Sequence, residues 1–144
     1  MLRPLSFISC VVALLGSAAA DPKPAPKSEA QLQLTKLGKN LKTYFITMDA
    51  FPKGKATQLP EKACCAQPDH KCAVTKAWAK DKLWQAVDFE IDDPNQFQYT
   101  LESDGTTAKA TAVGDPTCSG KPVTYTLEAK AVGGNPQFTI TEPK

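Results

Sequence analysis

Apolar residues recur at steps of four and three along one early stretch: Ala30, Leu34, Leu37, Leu41, Tyr44 and Met48, with Phe45 widening the stripe. Lys36, Lys39 and Lys42 occupy the opposite side. This is the pattern of an amphipathic helix that lays one face on a core. Ser28 is placed to cap its start, and Glu29 puts a negative charge in the first turn. At 1.5 Å per residue such a helix is about 30 Å long. The spacing assigns Leu34, Leu37, Leu41, Tyr44, Phe45 and Met48 to its packing face. Gly38 lies inside it and costs up to about 1 kcal/mol relative to Ala. A close approach by another element would account for that glycine. Pro52 and Gly54 end the helix.

Beyond Pro94 the period changes to two. Phe97, Tyr99 and Leu101 alternate with Gln98, Thr100 and Glu102. Ser103-Asp104-Gly105-Thr106 signals a hairpin, and residues 107–113 form the second strand. A turn over 114–122 carries Cys118. Val123, Tyr125 and Leu127 then mark a third strand. Gly133-Gly134-Asn135-Pro136 makes another turn, and Phe138 and Ile140 lead a last strand. Phe89 and Ile91 alternate with Glu90 and Asp92, as in a short strand or edge. Residues 78–87 read as a short helix or an irregular lead into a strand. The expected fold is therefore α+β: a long N-terminal amphipathic helix on a roughly four-stranded antiparallel sheet.

Residues 52–76 show neither period. A loop this long is unusual inside a compact domain unless something ties it down. Cys64, Cys65 and Cys72 lie in it, and Cys118 lies in the later turn. Four cysteines allow three pairings. A vicinal Cys64–Cys65 bridge is strained. That leaves Cys64–Cys72 with Cys65–Cys118, or Cys65–Cys72 with Cys64–Cys118, and either set staples the loop to the sheet. A zinc site built from these thiols and His70 is the competing reading. The spacing lacks a CxxC pair, however, and an oxidising compartment favours disulfides.

The compartment follows from the first residues. Residues 1–20 combine Arg3, an apolar run over 5–15 and Ala18-Ala19-Ala20, the features of a secretory signal peptide cleaved between Ala20 and Asp21. The run is too short for a comfortable membrane span, so no transmembrane segment is expected after leader removal. Residues 21–27 hold three prolines and form an extended leader; residues 28–144 form one domain. The chain has 144 residues, with Lys+Arg 17 against Asp+Glu 15. A formal charge of +2 is too small an electrostatic footprint for nucleic acid.

Chemistry-bearing patterns are sparse. The single His argues against His-based catalysis and multi-His metal sites. His70 itself reads as an exposed loop residue. Asp88, Glu90, Asp92 and Asp93 are acidic neighbours. On a strand, three of them would share a face and hold a cation, but a solvated edge that deters strand pairing is the plainer reading. Trp78 and Trp84 read as packing residues. The sequence holds no G-x-S-x-G, P-loop or dinucleotide fingerprint. No catalytic residue, cofactor or metal is expected.

Several segments together suggest a family. They are Ser28-Glu29-Ala30, Asn40-Leu41-Lys42-Thr43-Tyr44-Phe45, Ala63-Cys64-Cys65 with Lys71-Cys72, Phe97-Gln98-Tyr99, Ser103-Asp104-Gly105, and Thr111-Ala112-Val113-Gly114-Asp115 before Cys118. In order and spacing the chain resembles type IV pilins and pseudopilins, in particular pilin-like proteins of myxobacteria. The resemblance covers about residues 28–130. It implies a helix-on-sheet headpiece, protein–protein recognition rather than catalysis, pilin or pseudopilin subunits as partners, and a place at the cell surface or in the periplasm. One departure matters. Polymerising pilins keep an apolar half-helix after cleavage behind a Gly, whereas here an ordinary Ala-x-Ala site follows the apolar run. The mature chain would be an accessory of a type IV pilus or type II secretion system, or a stand-alone binding module. Asp115 is the only carboxylate in its loop, too few for an expected calcium site.

Overall fold

The computed structural model describes residues 27–144. The leader peptide, its cleavage point at Ala20 and Asp21, and residues 21–26 lie outside the described residues. Helix α1 spans Glu29–Met48 and a short α2 spans Lys82–Ala86. The strands are β1 Lys53–Lys55, β2 Phe97–Asp104, β3 Thr107–Gly114, β4 Val123–Val132 and β5 Asn135–Thr141. They form one sheet in the order β1-β2-β3-β4-β5, each pair antiparallel.

This corrects the expected fold class. The described chain is mostly a five-stranded antiparallel sheet with one helix of 20 residues, not a pilin-type helix on four strands. The additional strand is Lys53-Gly54-Lys55. It carries no apolar side chain and so gives no period-two signal. Its place is set by register instead, with Lys53 opposite Asp104 and Lys55 opposite Glu102.

Local chemistry starts α1. Ser28 Oγ accepts from the Gln31 amide at 3.2 Å, and the Ser28 amide donates to Gln31 Oε1 at 2.7 Å. This reciprocal capping box satisfies two otherwise unpaired donors. The helix ends where Asp49 turns left-handed at φ 55 and its amide donates to Phe45 at 2.8 Å. Leu34, Leu37 and Leu41 are wholly buried against the sheet. Each is worth about 1.5–3 kcal/mol relative to exposure. Phe45 is buried and stacks 4.8 Å from Phe51, which the chain reversal at Asp49 brings beneath it. Phe51, not Met48, therefore packs on the end of the stripe. Met48 is 59% exposed, and Tyr44 is half-buried.

A second part of the core is aromatic. Trp78 lies 5.2 Å from Trp84, 5.5 Å from Phe89 and 6.3 Å from Tyr99, edge to face in each case. The Trp84 indole donates to the Thr57 carbonyl at 2.8 Å, so its one polar atom is satisfied. Asp81 caps α2 by accepting from the Leu83 and Trp84 amides, and also takes the Thr57 amide.

Phe89 and Ile91 are buried but not in a strand. Helix side chains take the place of a ladder partner there. Asn40 donates to the Asp88 carbonyl and Lys36 to that of Glu90, each at 2.8 Å. Lys36 also lies 5.6 Å above the Phe89 ring.

Candidate recognition surface

The two faces of the sheet differ sharply. Toward α1 point Phe97, Tyr99 and Leu101 of β2, Ala108, Ala110 and Ala112 of β3, and Leu127 and Ala129 of β4, all buried. The alanines keep the middle of the sheet thin enough for the leucines of α1 to settle on it. On the other face every residue of β2 to β5 is exposed or half-exposed.

That open face is ordered in rows. Register places Thr100, Thr111, Thr126 and Thr141 side by side on four successive strands. The hydroxyls of Thr100 and Thr111 are 2.6 Å apart and share a hydrogen bond. The next row runs Lys55, Glu102, Lys109, Glu128 and Thr139, so its four charged positions alternate in sign across the sheet. Opposite charges directly across a pair contribute modestly to sheet stability, and their alternation leaves the face without a strong net field. A third row of Thr107, Lys130 and Gln137 completes a shallow hollow of about 380 Å³ over β3 to β5. The surface is largely polar, and its rows are set by the strand register. Rows of this kind are invisible in single strands. They emerge only when the strands are paired about their turns.

The cysteines hold the perimeter of this surface. Cys64 is bonded to Cys72, and Cys65 to Cys118. Of the two sets left open by the sequence, this is the one formed, and sulfurs spent in bridges offer no thiolate to zinc. The second bridge joins the irregular loop to the β3–β4 turn across a separation of 53 residues. Gln98, on the open face, donates to the carbonyls of Pro60 and Glu61 and seats the same loop beside β2. His70 is exposed, its Nδ1 3.2 Å from the Cys65 carbonyl. Asp88, Glu90, Asp92 and Asp93 are exposed and share no strand face. Among the described residues, no three His, Cys, Asp or Glu side chains are grouped to hold a metal ion. Asp115 is engaged by its own loop, accepting from the Gly120 and Lys121 amides at 2.6 and 3.0 Å.

One titratable pair sits at the sheet's margin. Glu29 accepts from the Gln96 amide at 3.1 Å, and the Tyr99 hydroxyl donates to it at 3.4 Å. Burial pushes the Glu29 carboxyl above its ordinary range against these bonds and the pull of Lys71. Burial and the Glu29 charge together push the Tyr99 phenol up. In the sequence Glu29 shows only its place in the first helical turn, because its partners lie about 70 residues away. The pair joins the start of α1 to β2.

No protein-family model, curated protein or solved structure matches this chain. What fold and site define is a disulfide-stapled antiparallel sheet, covered by one helix on one side and open on the other. Among the described residues no helix is long and apolar enough to cross a membrane.

Proposed function

We propose that this chain is a non-enzymatic exported protein that works by surface recognition, as an accessory of a type IV pilus or type II secretion system that contacts pilin-type subunits. The observation that carries the recognition reading is the open sheet face, with its row of Thr100, Thr111, Thr126 and Thr141 beside a row of alternating charge. Such a face offers hydroxyl donors and acceptors at the inter-strand spacing of about 4.8 Å, and large aligned areas are what protein interfaces use. The two bridges support export, since disulfides persist in oxidising compartments. The filament partner rests on the sequence resemblance alone.

Quantitative peptide mass spectrometry on sheared filaments, periplasm and spent medium tests the proposal. Enrichment of this chain with the filaments supports the accessory role. Recovery from soluble fractions alone contradicts it and favours a free-standing binding module.

A further inference from the structure

We propose that the trough between β1 and the start of α2 binds an acidic peptide segment, held by main-chain bonds to Lys53 and Lys55 and by the ammonium groups of Lys55, Lys80 and Lys82. This stands independently of the filament partner proposed above.

The backbone of β1 supplies the first argument. The Ala56 amide donates to the Leu101 carbonyl at 2.8 Å, toward the sheet. Bonded and unbonded positions alternate along an antiparallel ladder, so Thr57, Lys55 and Lys53 turn their backbone groups outward. Thr57 shows what meets that edge. Its amide donates to Asp81 Oδ2 and its carbonyl accepts from the Trp84 indole, each at 2.8 Å. Residues 81–84 therefore cap the edge at Thr57. At Lys55 and Lys53 a trough of about 450 Å³ opens between β1 and residues 80–83.

Charge supplies the second argument. Lys53, Lys55, Lys80 and Lys82 all line the trough, and all are exposed. The Lys53 side chain lies against Gly105, so this residue offers the trough its backbone rather than its charge. Asp81 is the one carboxylate among the lining residues, and it is committed to the amides of Thr57, Leu83 and Trp84. Across β1, Asp104 accepts from the Thr106 and Thr107 amides, and Glu102 lies between Lys55 and Lys109. Both are matched on the sheet, which leaves the charge of Lys80 and Lys82 to the trough.

Backbone and charge together select the occupant. Outward amides need acceptors and outward carbonyls need donors. A peptide main chain supplies both, as in strand addition at an open edge, whereas a phosphate backbone supplies acceptors alone. Edge lysines set like charges against a second copy of β1 and so deter self-pairing, but an acidic segment turns the same lysines into partners. One exposed ammonium–carboxylate pair is worth little in water. Several carboxylates in succession are therefore required, which a run of Glu or Asp provides and a single small acid does not. Asp81 is the chain's own example: a carboxylate seated on the next outward amide of the same edge.

The test is NMR titration of the folded chain at low salt with an oligoglutamate peptide, read at the backbone amides. The amides of Lys53, Lys55 and residues 80–83 should shift saturably, and added salt should release the peptide. Lys80→Gln with Lys82→Gln should keep the fold, since both side chains are exposed, and weaken binding about tenfold. Oligoglutamine, with the same main chain and no charge, should not bind. Absent shifts at these amides overturn the proposal, as does undiminished binding by the double variant. Equal binding of oligoglutamine overturns the role of the lysines. An oligothymidylate strand that binds more tightly than the peptide at the same amides overturns the choice of a peptide. If the double variant fails to fold, the wild-type amides and the salt dependence still decide.

Discussion

Gly38 of α1 lies directly against the ring of Phe138 in β5. A Cβ placed on Gly38 would sit 2.6 Å from Cδ2 and 2.7 Å from Cγ of that ring. No real side-chain carbon tolerates such contact, so this helix and this strand approach as closely as they do because position 38 has no side chain. A glycine that is unfavourable for the helix is required by the packing.

Gly38→Ala should therefore destabilise the fold despite better helix propensity. Alanine gains up to about 1 kcal/mol in the helix. Displacing the ring costs about 1–3 kcal/mol as overpacking. Chemical denaturation should show a net loss, and Gly38→Leu a larger one. Pairing Gly38→Ala with Phe138→Leu should recover part of it, because the ring that clashes is gone.

The two bridges should differ in worth. Cys65–Cys118 closes a separation of 53 residues and Cys64–Cys72 one of 8. Chain entropy assigns the longer loop about 4 kcal/mol and the shorter about 2.5 kcal/mol. Replacing each pair by serine, so that no odd thiol remains, should lower the melting temperature more for Cys65 and Cys118. The reverse order would mean that the bridges act mainly through local geometry.

Glu29 should make stability depend on pH in an unusual direction for a carboxylate. Burial raises its pKa above 4.5 in the folded chain. The folded state therefore holds the proton more tightly than the unfolded state. Its contribution is fully present below the unfolded pKa and is lost as pH rises through the folded one. Glu29→Gln keeps an acceptor for the Gln96 amide and removes the charge. The variant should melt above the wild type at pH 7, and the gap should close at pH 4. A constant gap would place the effect in packing instead.

Some of this was legible in the sequence. Ser28 before Glu29, and the spacing of Leu34, Leu37 and Leu41, carry their positions openly. So does the alternation at Phe97, Tyr99 and Leu101. The architecture was not legible as a whole. Lys53-Gly54-Lys55 has no apolar partner pattern, and only the backbone of β2 makes it a strand. Phe89 and Ile91 alternate like a strand but are held by Asn40 and Lys36 from a helix some fifty residues earlier. Met48 continued the helical stripe, yet Phe51 packs on its end through a turn that Asp49 alone does not announce. The threonine row fails to show for the same reason: Thr100, Thr111, Thr126 and Thr141 become neighbours only when four strands are in register.

The open sheet face is the proposed recognition surface. The most direct test is co-sedimentation of the purified protein with sheared filaments, comparing wild type with Thr111→Glu and Thr126→Arg combined. Both positions point away from α1 and lie directly opposite each other, so the introduced charges pair and the variant should keep its fold. Wild-type protein should pellet with the filaments, and the variant should stay in the supernatant. Equal pelleting of both would contradict the assignment of recognition to this face. A wild type that never pellets would contradict the filament partner itself.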